Sequence, residues 1–191
     1  RRIGVEAARG RYVTFVDPDD KVVEHGLDKL YNAIVSTDAD EVIGTYRTQH
    51  GIKVSTGITG EADTTWMIRQ LLASKARFCV LWAVIFKKEL LEGCLTAPST
   101  IRSGEDILMQ ILCLVKRPKV VFIDDVVYEY TAGLPNNRRQ NLDEQRAYDI
   151  HLREGLAPVW NEMKDYYLLR QIKQYENFIA AGDFHVLDDY F

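Results

Sequence analysis

The sequence predicts an α/β protein with a mixed sheet, followed by a helical tail. Over residues 1–131, short runs rich in β-branched and aromatic residues alternate with segments whose apolar residues recur at helical spacing. Over residues 143–181 no strand pattern occurs, and the spacing predicts two helices separated near Gly155–Pro158. A chain of 191 residues, 47% of them apolar, is long enough for one substantial core.

The individual elements follow from local patterns. Helical spacing predicts the end of a helix over residues 2–9, closed by Gly10, and helices over Val22–Val35, Thr64–Ser74, Lys87–Glu92 and Glu105–Val115. Runs of β-favouring residues predict strands over Tyr12–Val16, Glu41–Tyr46, Ile52–Ser55, Lys119–Ile123 and Val126–Tyr130. Val80–Phe86 is either a strand or a buried loop, and the polar segment 134–143 is predicted to be a loop.

Composition excludes several classes of protein. The formal net charge of -4 comes without a basic stripe, which argues against nucleic-acid binding. Three cysteines without paired spacing predict reduced thiols and an intracellular protein. The sequence shows no apolar run of membrane-spanning length, no secretory signal, no glycine-rich phosphate loop and no cysteine–histidine metal cluster.

The densest acidic cluster follows the first predicted strand, where Asp17, Asp19 and Asp20 stand within four positions. Ligands bind at such strand ends in open α/β sheets, and two carboxylates there suit a hard divalent cation such as Mg²⁺ or Mn²⁺. The competing interpretation is ordinary turn chemistry, with Asp20 as the N-cap of the next helix. The residues alone leave both interpretations open.

Two further acidic clusters allow similar pairs of interpretations. Ser103 and Asp106 have the spacing of a capping box for the next helix, whereas a functional interpretation makes Asp106 a general base. Asp124 and Asp125, between two apolar runs, are typical of a turn or a strand end. The three tryptophans, Trp66, Trp82 and Trp160, are expected in the core, because aromatic side chains dominate protein cores.

Four sequence blocks occur in a characteristic order. They read A-x-G-x-Y-V-x-F-V-D-P-D-D across Ala8–Asp20, L-W-A-V-I-F-K-K-E-L-L across Leu81–Leu91, S-G-E-D-I-L at 103–108 and V-V-Y-E-Y at 126–130, with Arg1 and Gly4 ahead of them. This order resembles the family 2 glycosyltransferases of the GT-A fold, of the bacterial, non-processive kind. The resemblance covers residues 1 to 131 and does not extend into the tail.

The resemblance implies an inverting hexosyltransferase that uses a nucleoside-diphosphate sugar of the UDP or GDP type. Asp17 and Asp19 match the family's D-x-D, which meets the ribose and, through Mg²⁺ or Mn²⁺, the diphosphate; Asp20 is expected to share this role, and Arg1 is placed with the donor-binding residues. Asp106 matches the general base and Glu105 its partner, while Trp82 matches an aromatic residue on the acceptor side. The acceptor would be a saccharide or a lipid-linked glycan.

The resemblance also has departures. Arg2 replaces the family's asparagine, Ala83-Val-Ile replaces a more polar segment after Trp82, and Thr131 replaces the usual arginine after Y-x-Y. The family's first nucleotide-binding strands have no counterpart, so we expect residues 1–131 to be a partial GT-A domain and residues 132–191 a helical extension. By itself this piece is expected to be inactive. The resemblance places the enzyme in the cytoplasm, at the inner face of the membrane, in cell-envelope polysaccharide or glycolipid synthesis.

Two alternatives remain open from the sequence. A phosphatase of the haloacid dehalogenase type also uses an apolar strand ending in D-x-D, with a later lysine and acidic pair, which Asp17, Asp19, Lys119 and Asp124-Asp125 mimic. However, Asp20-Lys21 stands where such enzymes have Gly-Thr. The other alternative is a non-catalytic interaction module with the same fold, because a fold alone does not guarantee an activity.

Overall fold

The computed structural model describes residues 1–101, 103–131 and 142–182. Most of the polar segment predicted as a loop, and the end of the predicted helical extension, lie outside the described residues. The division of the chain at residue 131 therefore stays a prediction.

The described chain contains six α-helices, two short 3₁₀ helices and seven strands. The α-helices are α1 (Arg2–Ala7), α2 (Gly26–Thr37), α3 (Thr64–Leu72), α4 (Glu105–Leu114), α5 (Leu142–Gly155) and α6 (Trp160–Ala181), and the 3₁₀ helices are Lys88–Leu91 and Ala157–Val159. The strands are β1 (Tyr12–Thr14), β2 (Lys21–Val22), β3 (Glu41–Thr48), β4 (Lys53–Val54), β5 (Gly60–Ala62), β6 (Val84–Lys87) and β7 (Val120–Tyr130). The predicted order of helices and strands is confirmed, with the differences described below.

All seven strands form one mixed sheet. The main order is β1-β6-β3-β7-β2, with β4 added to β3 and β5 added to β7. The long central pair β3 and β7 is parallel, whereas every other pairing is antiparallel. The prediction of a mixed sheet flanked by helices is therefore confirmed.

The sequence pattern indicated that the acidic pair Asp124-Asp125 forms a turn or ends a strand. In the structure the pair lies inside a strand. β7 runs without interruption from Val120 to Tyr130, and the register against β3 shifts between Ile43 and Thr45 and again before Tyr46. A bulge of this kind accommodates extra residues within one strand. The two aspartates lie at this irregularity, where Lys53 Nζ donates to the Asp124 carboxylate over 2.8 Å.

The second helix is shorter than its apolar pattern predicted. Val22 is drawn into β2 by pairing with Tyr128, so α2 begins only at Gly26. The N-cap is His25, in the left-handed region at φ 58°, and not Asp20. A Cβ atom on Gly26 would lie 2.3 Å from the Val127 carbonyl oxygen, so this close approach of helix to strand requires glycine.

The core lies on both faces of the sheet. Val42 belongs to the cluster beneath α2 and the next residue, Ile43, to the cluster beneath the other helices, because consecutive strand residues point to opposite faces. Helices α5 and α6 contribute Tyr148, Leu152 and Met163 to the same cluster as α3 and α4. The C-terminal helices therefore complete the core of the sheet domain.

The apolar stripe of α6 is only partly used for this packing. Tyr167 is buried, as expected for a helix packed on the domain, but Leu168, Leu169 and Ile172 are exposed. Among the described residues, no helix combines the length and the apolar character needed to cross a membrane.

A buried carboxyl group makes the stability of the fold depend on pH. Glu41 opens β3, is completely buried, and accepts a hydrogen bond of 2.9 Å from Gln110 Nε2 of α4. Burial raises the pKa of Glu41 to about 7, although the bond from Gln110 opposes the shift. The folded state therefore holds a proton that the unfolded chain releases at lower pH.

We expect the binding of this proton to contribute roughly 3 kcal/mol to the free energy of unfolding. The contribution is complete below about pH 4.5 and is lost as the pH rises through about 7. Urea unfolding at a series of pH values measures this slope. Glu41→Gln should flatten it, because the amide does not titrate, whereas Glu61→Gln, on the exposed strand β5, should keep the slope of the wild type. The same dependence of the free energy of unfolding on pH in Glu41→Gln and in the wild type would show that Glu41 is not the titrating group.

Candidate active site

The first acidic cluster forms a tight turn directly after β1. The strand ends at Thr14, earlier than predicted, and the Asp20 N–H then donates to the Asp17 carbonyl oxygen over 3.1 Å. The turn predicted by the interpretation as ordinary turn chemistry is thus present, but it lies beside other charged groups, which are described below. Turn formation and a ligand-binding role do not exclude each other here.

Tyr128 of β7 holds this turn in place. Its hydroxyl accepts a hydrogen bond from the Asp17 N–H over 3.0 Å and donates to Asp20 Oδ2 over 2.9 Å. The Thr131 N–H donates to Asp20 Oδ1 over 2.8 Å, and the Thr131 hydroxyl donates to the Asp19 carbonyl oxygen. Burial and the neighbouring Asp20 carboxylate raise the pKa of the Tyr128 phenol, so it stays a hydrogen-bond donor at neutral pH.

These contacts separate the roles of the three aspartates. Both carboxylate oxygens of Asp20 bond to the protein, so this residue shapes the turn. The Asp19 side chain is exposed, and no hydrogen bond or ion pair joins its carboxylate to the described residues. Sequence reasoning missed the part played by Tyr128, although the Y-x-Y pattern in V-V-Y-E-Y was the signal that marked it.

The second acidic cluster opens α4, but not as a capping box. The N-cap is Gly104, at φ 84° and without a side-chain cap, and the helix begins at Glu105. A Cβ atom on Gly104 would come within 2.7 Å of the Tyr148 ring, which together with the positive φ requires glycine. The capping-box prediction is therefore wrong: the Asp106 carboxylate bonds instead to a guanidinium from a distant part of the chain.

Arg1 joins the two acidic clusters. Its Nη1 lies 3.1 Å from Glu105 Oε1 and forms a short ion pair with Asp106 Oδ1, while its Nη2 lies 3.4 Å from Asp17 Oδ1. Three carboxylates from two separate segments thus surround one guanidinium. The group keeps a net negative charge, and all four side chains are only partly exposed.

The Asp106 carboxyl group has an unusual proton affinity for an aspartate. Burial raises its pKa to about 6, with Glu105 and Asp17 acting in the same direction and Arg1 opposing them. A carboxylate with such a pKa is mostly ionised at neutral pH, yet it is a stronger base than an exposed aspartate. A raised proton affinity of this kind is a property of general bases.

Trp82 lies in an aromatic cluster next to this site. Its ring stacks on Tyr128 at a centroid distance of 4.9 Å and on Tyr130 at 5.2 Å, and Tyr46 meets it edge-on at 4.5 Å. Only 7% of Trp82 is exposed, so the expectation that it is a core residue is confirmed. Trp66, by contrast, is 39% exposed and does not lie in the core, while Trp160 is partly buried against it.

The donor atoms at the turn suit a hard cation. Within the part of the chain that the structure describes, no group of three or more histidine, cysteine or acidic side chains could hold a metal ion by itself. Mg²⁺ and Mn²⁺ need no such group, since one or two carboxylates suffice when water and phosphate oxygens complete the shell. The carboxylates of Asp17 and Asp19 fit this requirement chemically.

Comparison with known proteins connects the chain to glycosyltransferases. It is 27% identical over 165 residues to glycosyltransferase GlyG of Streptococcus pneumoniae, covering 78% of this chain and 53% of the relative. It is 28% identical over 131 residues to poly(ribitol-phosphate) beta-glucosyltransferase of Bacillus spizizenii, covering 68% of this chain and 20% of the relative. The chain thus spans about half of the first relative and a fifth of the second. No protein-family profile matches it.

Solved structures show the same fold. S. aureus TarS aligns with a TM-score of 0.64 at 17% identity, over 91% of this chain and 50% of the TarS chain. TarS in complex with UDP-GlcNAc aligns with a TM-score of 0.60 at 16% identity, over 88% of this chain and 58% of that one.

The fold is therefore a GT-A-like mixed sheet flanked by helices, as predicted. Within that class, the chain is a relative of the bacterial glycosyltransferases. The phosphatase alternative finds no support, since Lys119 Nζ donates to the Thr37 carbonyl oxygen and not to Asp17.

Proposed function

We propose that this protein is an inverting, non-processive family 2 glycosyltransferase that moves a sugar from a nucleoside-diphosphate donor to an acceptor hydroxyl. The observation that supports this most strongly is the meeting of Asp106, whose pKa is raised to about 6, with Asp17 of the strand-end turn around one guanidinium. The names of the relatives support a transferase, and the TarS complexes with UDP and UDP-GlcNAc support a nucleotide-sugar donor. We propose that this donor is of the UDP or GDP type.

In this proposal Asp106 removes the proton from the acceptor hydroxyl. Arg1 bonds to Asp106 Oδ1 and holds the carboxylate in place, which leaves Oδ2 to accept the proton. The new bond forms at the anomeric carbon on the face opposite the departing diphosphate, so the configuration inverts. The neighbouring Glu105 adds negative charge, which favours the oxocarbenium-like character of the anomeric carbon at the transition state.

The diphosphate is proposed to bind at the turn after β1. Asp17 and Asp19 would hold Mg²⁺ or Mn²⁺ there, and such an ion neutralises the charge that builds up on the leaving oxygen. Asp20 contributes indirectly, because its bonds to Tyr128 and Thr131 keep the turn in shape. The proposed acceptor is a saccharide or a lipid-linked glycan in cell-envelope polysaccharide or glycolipid synthesis, reached from the cytoplasm at the membrane's inner face.

Calorimetric titration tests the donor site most directly. UDP and GDP are titrated into the full-length protein with and without Mn²⁺, alongside Asp19→Ala. We expect manganese-dependent binding of one nucleotide, weakened at least about tenfold in the variant because the metal loses a carboxylate ligand.

The matched control is Asp165→Ala, which removes an exposed carboxylate from α6 and should bind like the wild type. If the folded full-length protein bound neither nucleotide, the non-catalytic interaction module would be favoured instead.

A further inference from the structure

A cavity opens beside the acidic cluster. It has a volume of about 550 Å³ and lies between the start of α1, residues 94–101 and the first turns of α4. Its floor is aliphatic, formed by Leu81, Ile101 and Met109. At its rim lies Ile3, whose side chain is exposed.

The cavity and the proposed active site share two residues. Arg1 and Glu105 line the cavity and also belong to the cluster that holds Asp106. A molecule in the cavity therefore lies against the residues that flank the proposed general base. Thr96 and Ser99 also line the cavity, and their side chains carry hydroxyl groups that can bond to a polar ligand.

The two halves of the reaction require separate sides of the site. Arg1 faces Asp17, at the proposed diphosphate site, through Nη2, and it faces Glu105 and Asp106 through Nη1. In an inverting transfer the attacking hydroxyl and the leaving diphosphate stand on opposite faces of the anomeric carbon. Because the proposed base Asp106 takes the proton of the acceptor, the acceptor approaches in this proposal from the side of Arg1 that carries Glu105 and Asp106, and the cavity is lined by Arg1 and Glu105.

Resting on the proposed function, we propose that this cavity binds the acceptor and selects a saccharide that carries an apolar substituent, such as an alkyl or acyl group, near its reacting hydroxyl. The aliphatic floor takes the substituent, since burying apolar surface there is favourable. Thr96, Ser99 and Glu105 contact the hydroxyl groups of the sugar ring at the mouth. A purely polar acceptor would leave Ile3 and the partly exposed Leu95, which also lines the cavity, in contact with water.

Methionine NMR reports on the cavity. The chain has three methionines; Met109 lines the cavity, whereas Met67 and Met163 do not line it and are fully buried. With ¹³C-methyl methionine and UDP–Mg²⁺ present, hexyl β-D-glucopyranoside should shift the Met109 signal, assigned through Met109→Leu, and leave the other two in place. Free glucose should need at least about tenfold higher concentration than the hexyl glucoside to produce the same shift of the Met109 signal, since glucose lacks the methylene groups of the hexyl chain that the cavity would bury.

A pair of matched variants tests the location. Ser99→Trp fills the mouth of the cavity, whereas Thr100→Trp adds the same bulk at the next exposed residue, which does not line it. We expect Ser99→Trp to weaken hexyl glucoside binding at least about tenfold, with UDP affinity within twofold of the wild type, and Thr100→Trp to change neither.

Three results would overturn the assignment while UDP binding persists: no shift of Met109, equal shifts of all three methionines, or unchanged glucoside binding in Ser99→Trp. The first is also the result expected if another part of the protein fills the cavity. Weaker UDP binding in Ser99→Trp would assign the cavity to the donor instead. Loss of UDP binding in the wild type would count against the proposed function itself.

Discussion

Replacing Asp106 with asparagine is expected to lower kcat for glycosyl transfer by about 10²- to 10⁴-fold, the usual contribution of a positioned general base. The amide keeps the size of the side chain and can still bond to Arg1, but it cannot accept the proton of the acceptor hydroxyl. Nucleotide affinity should stay close to that of the wild type, because Asp17 and Asp19 at the turn are unchanged. Steady-state transfer assays and UDP titration on the same preparation measure both effects.

The pH profile provides an independent check of the same residue. The pKa of Asp106 is raised to about 6, chiefly by burial. Protonation below that pH removes the base, so the rate of the wild type should rise with pH through about 6 and level off above it. Asp165→Asn, on the exposed side of α6, should leave both the rate and the profile unchanged. A variant Asp106→Asn with more than about a tenth of the activity of the wild type would exclude the base assignment.

Replacing Trp82 with alanine is expected to destabilise the fold by about 3–5 kcal/mol, the usual cost of deleting a large buried aromatic side chain. The ring is almost completely buried and stacks on Tyr128 and Tyr130. Because Tyr128 holds the Asp17–Asp20 turn, the loss should also weaken nucleotide binding. Urea unfolding and UDP titration check the two parts of this prediction.

Trp66→Ala is the matched control, since it deletes the same side chain at an exposed position at the start of α3. It should cost much less stability and leave nucleotide affinity unchanged. Trp82→Phe, which keeps an aromatic ring in the stack, should fall between Trp82→Ala and the wild type. If Trp82→Ala were no less stable than Trp66→Ala, the aromatic cluster would not support the turn in the way described.

The burial of Trp82 also affects its implied contact with the acceptor. The resemblance placed this residue on the acceptor side, but its ring is covered by Tyr128 and Tyr130 and offers little surface. Tyr130 is 36% exposed and presents the outer surface of the same stack. A direct contact of Trp82 with the acceptor remains a prediction, whereas its packing against Tyr128 is observed.

Local patterns predicted most elements because helices and strands depend largely on the periodicity of their own apolar residues. Helices α3 and α4 begin at the predicted residues, Thr64 and Glu105. The fold class followed in the same way from the alternation of such segments. The acidic residues at the end of β1 and the start of α4 were also identifiable, because their motifs are continuous in the sequence.

Other features depend on contacts between residues far apart in the chain. Gly60–Ala62 has no strand pattern and becomes β5 only by pairing with Val120–Phe122. The pair Asp124-Asp125 has the sequence pattern of a turn. In the structure β7 continues through it, because β7 pairs with the parallel strand β3 on both sides of an irregularity in the register. The ion pairs of Arg1 with Asp17 and Asp106 span 16 and 105 positions, and they oppose the rise in the pKa of Asp106 that burial and the neighbouring carboxylates of Glu105 and Asp17 cause. Periodicity is a local property, whereas register, burial and charge environment arise only when distant segments pack together.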